Sequence, residues 1–252
     1  MEWRDEGLIT GIRRHGESSA IVEVLTRSHG RHLGMARGAR SKTNAPALQP
    51  GNSVSVTWRA RLEEHMGAFV LESTRQRSSE ILGSALALHG VNHLGALARL
   101  LPEREPHPGL HETFELVADH LHEPRIAPAL MVRLEMAVLV ELGFGLDLSK
   151  CAATGVTDDL IYVSPKSGKA VSRHAGEPWR DRLLPLPGFL AGRADSADAA
   201  SVSDGFRLTG YFLERDFFSP RGSGLPDARR SFIAEAIRRG EPPGPPAGQA
   251  AL

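Results

Sequence analysis

Short alternations of apolar and polar positions dominate the first part of the chain. Leu8, Thr10 and Ile12 alternate with Ile9, Gly11 and Arg13, and Ala20-Ile21-Val22-Glu23-Val24-Leu25 is a β-branched run closed by the Ser28-His29-Gly30 turn. A two-residue period with β-branched side chains suits a pleated strand. A third strand is predicted over His32 to Ala36. Val54, Val56 and Trp58 then alternate with Ser53, Ser55 and Thr57, and Ala68-Phe69-Val70-Leu71 follows the Gly67 breaker. Between the third and fourth strands lies Gly38-Ala39-Arg40-Ser41-Lys42-Thr43-Asn44-Ala45-Pro46, polar and basic. Five short strands with one long basic loop predict a small closed β-barrel of the oligonucleotide-binding (OB) type.

After Ser79 the period lengthens to that of a helix. Ile81, Leu82, Ala85, Leu86, Leu88, Val91, Leu94, Leu97, Ala98 and Leu101 recur at helical spacing until Pro102, Pro106 and Pro108 end the segment. A second helix is predicted from about Leu110 to His122. A third, Ala129 to Leu142, is apolar almost all round, which marks a central buried helix. Residues 146–200 read as loop-rich, and Phe206 to Phe218 and Pro226 to Arg239 as two final helices. The Pro/Gly-rich end, 241–252, has too little apolar matter to pack and is expected to be disordered. The expected fold class is therefore α+β, with an OB barrel over 1–79, an α-helical domain over 80–240 carrying the loop region 146–200, and a tail.

Composition adds exclusions. The 252 residues hold 30 Lys+Arg against 30 Asp+Glu, one cysteine and 41% hydrophobic residues. That balance does not describe a disordered acidic chain, a collagen-like repeat or a disulfide scaffold. The first residues lack the charged-then-apolar pattern of a secretory signal. No apolar run reaches the roughly 18–20 residues of a membrane span. The expected location is cytoplasmic, with no membrane contact.

The neutral total averages unlike regions. No acidic residue stands between Glu23 and Glu63, a stretch that holds Arg27, Arg31, Arg37, Arg40, Lys42, Arg59 and Arg61. From Ile81 to Lys150 the excess is acidic. Such asymmetry points to a polyanion-binding part joined to a part with another task, although a charge run is also compatible with a solvated face. Arginines on a loop and its adjoining strands can neutralise successive phosphates, with affinity falling as salt rises. Trp58 and Phe69 are the strand aromatics that could stack on bases or fill the core. A surface of this kind grips backbone more than it reads bases.

Catalytic signals are weak. His89 and His93, and His107 and His111, have i,i+4 spacing, but the first pair lacks the glutamate of a zinc protease and the second crosses Pro108-Gly109. Gly16-Glu17-Ser18-Ser19-Ala20 lacks the second glycine of a hydrolase elbow, and Pro165-Lys166-Ser167-Gly168-Lys169 lacks a phosphate loop's earlier glycine. No enzyme activity and no cofactor are expected.

The segments Asp5-Glu6-Gly7, Arg13-Arg14-His15-Gly16-Glu17-Ser18, Leu25-Thr26-Arg27-Ser28-His29-Gly30, Ala36-Arg37-Gly38-Ala39-Arg40 and Leu48-Gln49-Pro50-Gly51 together resemble the amino-terminal domain of the RecO family of bacterial DNA repair and recombination mediators. Arg133-Leu134-Glu135, Leu142-Gly143-Phe144-Gly145-Leu146-Asp147, Cys151, the run Tyr162 to Ser172 and Leu225-Pro226-Asp227-Ala228-Arg229-Arg230 are similar to later parts of that family. The resemblance implies an OB domain followed by a helical domain. It also implies binding of single- and double-stranded DNA, annealing of complementary strands, and action with RecR to load RecA on DNA coated by single-stranded DNA-binding protein. Carried over by position, Arg37 and Arg40 are the motif arginines expected to contact DNA, with Arg13, Arg14, Arg27, Arg31 and Lys42 as neighbours read from charge alone. Arg133, charged on an otherwise apolar helix, needs a carboxylate, either from the acidic, apolar tail of the single-stranded DNA-binding protein or from an internal residue such as Glu135.

Some members carry a four-cysteine zinc knuckle. Here Cys151-Ala152-Ala153-Thr154 and Ser172-Arg173-His174-Ala175 stand in those places, so three thiolates are missing and no metal is expected. That loop would be held by packing through Leu160, Ile161, Tyr162 and Val163. Two other roles fit the sequence: an OB adaptor that contacts proteins, and an RNA-binding OB module without annealing activity.

Overall fold

The computed structural model describes residues 1–39, 41, 45–192 and 197–240. The predicted tail, 241–252, lies outside them. Five strands, β1 (Glu2–His15), β2 (Ser19–Thr26), β3 (Gly30–Ala36), β4 (Ser53–Arg59) and β5 (Ala68–Arg75), close a barrel in the order β1-β2-β3-β5-β4. All neighbours are antiparallel except β3 and β5, which meet in parallel at Met35–Ala68 and Ala36–Phe69. Strand β1 is long enough to pair with β4 through its first half and with β2 through its second. A bulge between Ile9 and Gly11 lies where the partners change, and a bulge of this kind bends a strand and raises its twist.

The burial pattern separates two kinds of strand. In β4 it alternates, with Val54, Val56 and Trp58 inward. Strand β2 is buried on both faces, because Val22 and Val24 fill the barrel while Leu25, with Leu8 of β1, belongs to the core under the helices. A strand covered on both sides can be apolar throughout, which explains the uninterrupted run at Ala20–Leu25.

The helices are α1 (Ser78–Leu82), α2 (Ala85–Ala98), α3 (Pro108–His120), α4 (Ala127–Glu141), α5 (Arg173–Gly176), α6 (Ala199–Leu213) and α7 (Asp227–Gly240). Ser84 caps α2 by accepting from the Ala87 amide, and Asp198 caps α6 by accepting from Ser201 at 2.8 Å. Helix α6 therefore starts ahead of its predicted beginning at Phe206. Helix α2 runs against β1 so closely that a Cβ on Gly95 would lie 2.5 Å from the Thr10 carbonyl oxygen. Helix α4 packs between α3 and α6 and buries Met131, Val132, Leu134, Glu135, Val138 and Leu139. Its burial is not complete all round, since Val140 is exposed.

The region expected to be loop-rich contains a small antiparallel sheet in the order β7-β6-β8, formed by β6 (Leu160–Val163), β7 (Ala170–Ser172) and β8 (Leu184–Pro185). Leu160, Val163 and Ala170 are buried against the helical core. The strands are too short for their period to stand out from a loop.

One fully buried carboxylate ties four helices together. Glu135 of α4 accepts from His93 Nε2 of α2 at 2.7 Å and from Arg229 of α7 through Nε at 2.8 Å and Nη2 at 3.0 Å. The Thr209 hydroxyl of α6 also donates to it. Burial pushes this carboxyl upward, but the Arg229 charge and the His93 hydrogen bond outweigh burial and hold it at about 2. Among the described residues, no helix is long and apolar enough to cross a membrane.

Candidate nucleic-acid interface

Strand register gathers part of the predicted basic surface at one end of the barrel. Arg14 of β1 faces Ala20 of β2, and Ala20 faces Ala36 of β3, so Arg37 follows at the same end. Successive side chains on a strand point to opposite sides, and Arg13 and Arg14 border different clefts. Arg14 lines one of about 380 Å³ with Ile12, Ala20, Ala39, Leu48 and Gln49. Arg13 lines one of about 280 Å³ that also touches Glu23, Arg31 and Arg99. Arg13, Arg14 and Arg37 are all exposed. None of the carboxylates in the described ion pairs belongs to them. Arg40 and Lys42 lie outside the described residues.

The other predicted arginines are placed differently. Arg27, in the β2–β3 turn at the far end of the barrel, donates to Glu112 of α3 at 2.8 Å. Arg31 is mostly buried and lies between Glu23 at 2.8 Å and Glu103 at 3.3 Å, while its Nε donates to the Leu101 carbonyl. Its charge is therefore largely neutralised inside the seam between barrel and helices, unlike the exposed Arg13 with which it shares a cleft. Arg99 of α2 adds a second cation on Glu23, at 3.0 Å.

The same pattern extends along α3. Arg77, nearly buried, reaches Glu115 at 2.7 Å and Asp119, and donates to the Gly51 carbonyl and the Ser53 hydroxyl. Arg75 joins Asp119 at 2.8 Å. The basic barrel and the acidic helices thus meet partly because they neutralise each other. Charge asymmetry in the sequence reports this internal seam as well as the cations left over at the Arg13, Arg14 and Arg37 end.

Among the described residues, Arg133 has no carboxylate partner, although an internal carboxylate was one of its two expected partners. It is exposed on α4, donates to the Phe189 carbonyl at 2.9 Å and lies over the Phe189 ring at 5.9 Å. Glu135, two residues on, is turned into the buried cluster with Arg229 instead. The Arg133 guanidinium is therefore oriented but carries no described ion pair.

The histidine pairs are not brought together as a ligand set. His93 is bound to Glu135, His107 Nδ1 lies 2.7 Å from Glu141, and His111 is buried beside Glu115 at 3.8 Å. Burial is the leading influence on His111 and holds it below the ordinary histidine range. In the loop compared with a zinc knuckle, the amide and hydroxyl of Ser172 donate to the buried Cys151 sulfur at 3.3 and 3.4 Å. Burial raises this thiol, but hydrogen bonds from Ser172 and Thr154 outweigh burial and bring it to about 6. Residues at two of the lost cysteine positions thus bind the remaining sulfur directly. Among the described residues, no group of three or more His, Cys, Asp or Glu side chains could hold a metal ion.

Trp58 and Phe69 both lie in the barrel core. The sequence reading missed Trp3 of β1, which pairs across to Trp58 of β4 and stacks on it. Its signal was weak because the Glu2–Glu6 stretch alternates charged residues around a single aromatic.

Comparison with known proteins covers both halves of the chain. A family model for "Recombination protein O N terminal" matches residues 1–76, and one for "Recombination protein O C terminal" matches residues 82–224. A protein of Afipia carboxidovorans called DNA repair protein RecO is 59% identical over 241 residues, covering 94% of this chain and 97% of its own length. A protein of the same name from Methylocella silvestris is 56% identical over 243 residues, covering 96% and 98%. Another, from a Chelativorans species, is 55% identical over 239 residues, covering 94% and 96%.

Proposed function

The chain belongs to the RecO family of DNA repair proteins, and within that role we propose that it is a non-catalytic recombination mediator acting in the bacterial cytoplasm, at the nucleoid during repair. It binds single- and double-stranded DNA at the Arg13, Arg14 and Arg37 end of the barrel, with Arg40 and Lys42 of the adjoining loop. It anneals complementary strands and acts with RecR in loading RecA. The observation that carries this reading is the contrast in neutralisation: Arg27, Arg31, Arg75 and Arg77 are paired with carboxylates, whereas the three arginines at this end are exposed without such pairs among the described residues.

Annealing requires that phosphate repulsion between two strands be lowered while the base edges stay free. A cluster of backbone-gripping arginines achieves the first without blocking the second. Arg133 supports a second contact. An exposed guanidinium, fixed by Phe189 and next to apolar side chains of α4, suits the terminal carboxylates and apolar residues of the single-stranded DNA-binding protein's tail.

The test is strand annealing on naked DNA and on DNA coated with single-stranded DNA-binding protein. Replacing Arg13, Arg14 and Arg37 together by Ala is expected to slow both reactions and to flatten the salt dependence of single-strand binding by about 2 logarithmic units per decade, from about 0.7 per phosphate contact. Arg133→Glu is expected to spare naked DNA and impair the coated substrate. Unchanged affinity in the triple variant would remove the DNA assignment and favour a protein adaptor; equal competition by RNA would favour an RNA-binding module.

A further inference from the structure

At the end of β1 remote from Arg13, aromatic rings are piled at the edge of the barrel. Trp3 stacks on Trp58 with centroids 5.6 Å apart and planes 17° apart, and on His29 at 4.2 Å and 8°. Burial decreases along the pile, from Trp58 in the core, through half-buried Trp3, to His29, whose side chain is 34% exposed. A cavity of about 390 Å³ opens against these rings, with Glu2, Ser28, Glu63 and Arg104 on its polar side; Glu2 is paired with Arg59 and the His29 ring is held by Asp5 at 2.8 Å. That volume falls within the roughly 300–1,000 Å³ of small-ligand sites.

Arg104 gives this mouth a fixed wall. It is a non-glycine residue at φ +65°, a conformation that costs energy and persists where surrounding contacts enforce it, often at ligand-holding sites. Its amide donates to the Arg31 carbonyl at 2.9 Å. Its guanidinium donates to the carbonyls of Glu63, Glu64 at 3.2 Å and His65 at 3.1 Å, bracing the β4–β5 connection. Arg61 of the same connection is exposed, and no described ion pair includes it.

We infer that this mouth takes one unstacked nucleobase of a single-stranded DNA, stacked at the His29 end of the Trp58–Trp3–His29 pile, with its polar edge towards Glu63 and Arg104. Parallel ring planes match the faces of a base, and every base has a π-face, so such contacts are indifferent to sequence. A charged rim suits a heterocyclic edge better than an aliphatic side chain. Ten positions of β1 separate Trp3 from Arg13, about 33 Å at roughly 3.3 Å per residue, so the mouth is a second contact point distinct from the arginine end. The choice of ligand rests on the nucleic-acid reading above.

The test uses the full chain with Trp179→Phe, which leaves Trp3 and Trp58 as the remaining tryptophans. It is titrated with a short oligodeoxythymidylate and with an abasic strand of equal length. The thymidylate is expected to quench fluorescence saturably, and the abasic strand to bind without quenching. Trp3→Leu and His29→Ala should each weaken thymidylate binding about fivefold or more and leave abasic binding unchanged, while Trp3→Phe retains it. His29 lies on a turn, so its variant keeps the test valid if Trp3→Leu fails to fold. Equal affinity for both strands without quenching overturns the base site, yet leaves the proposed function standing if that binding is lost in the triple arginine variant. Binding of neither strand overturns both. Quenching by an acidic, apolar peptide but not by thymidylate overturns the base site in favour of a protein ligand.

Discussion

Replacing Glu135 by Gln would test how the helical half is held together. The carboxylate is wholly buried and receives two hydrogen bonds from Arg229, one from His93 and one from Thr209. An amide preserves the volume but removes the charge and turns an NH₂ group towards these donors. Arg229, itself buried, would then be an uncompensated cation, a change that typically costs about 3–5 kcal/mol. The carboxyl's position gives a comparable figure. A fall from 4.5 to about 2 corresponds to roughly 3 kcal/mol at about 1.36 kcal/mol per pH unit. Because the folded value lies below the unfolded one, this stability is complete above about pH 4.5 and is lost as pH falls towards 2. Urea unfolding at pH 7.5, followed by circular dichroism, should show the loss, and the variant should have a flatter acid limb between those pH values. Replacing Glu135 by Leu and Arg229 by Met together should recover much of it, since an apolar pair of similar volume needs no neutralisation. A loss under about 1 kcal/mol, or strictly additive single effects, would refute the claim that the cluster acts as one unit.

Three further outcomes follow from neighbouring features. Arg31→Ala should lower stability by about 1–3 kcal/mol, because Glu23 keeps Arg99 but loses its nearer cation, while the salt dependence of DNA binding stays unchanged; a flattened salt slope would show that Arg31 contacts phosphate. His32 and His111 are both held below the ordinary histidine range by burial. The unfolded chain therefore takes up protons first, and the melting temperature should fall as pH drops below about 6.5; a melting temperature that is level or rising from pH 7.5 to 5.5 contradicts this. Gly30 sits at φ +67°, and a Cβ there would lie 2.0 Å from the Glu105 carbonyl oxygen. Gly30→Ala should cost about 2 kcal/mol or more in urea unfolding, and a near-neutral result would mean that the Glu105 segment yields easily.

How far the sequence reveals this molecule depends on the range of the interaction involved. The five strands were legible because alternation at Val54–Trp58 and the β-branched run at Ala20–Leu25 are local signals. The small sheet at 160–185 was not, because four apolar residues do not establish a period. Arg133 stands out in the sequence as a charge on an apolar helix, but whether Glu135 answers it depends on Arg229, 94 positions away from Glu135. The fate of Arg31 turned on Glu103, 72 positions on. Trp3 was passed over because the charged residues around it hid a strand whose pairing with β4 is visible only in the closed barrel.

The acidic row on α3 also bears on where DNA would go under the proposed function. Glu112, Glu115 and Asp119 take up Arg27, Arg75 and Arg77 from the barrel, much as phosphates on a nucleic-acid strand would. A strand approaching that flank finds its cations already occupied and fixed carboxylates in the way. If the barrel binds DNA as proposed, this helix would act as a built-in decoy, steering a polyanion away from one side of the barrel. On that reading, a barrel cut free of α3 would bind DNA more strongly but with less discrimination between its faces, and part of the surface's selectivity would come from a helix outside the contact.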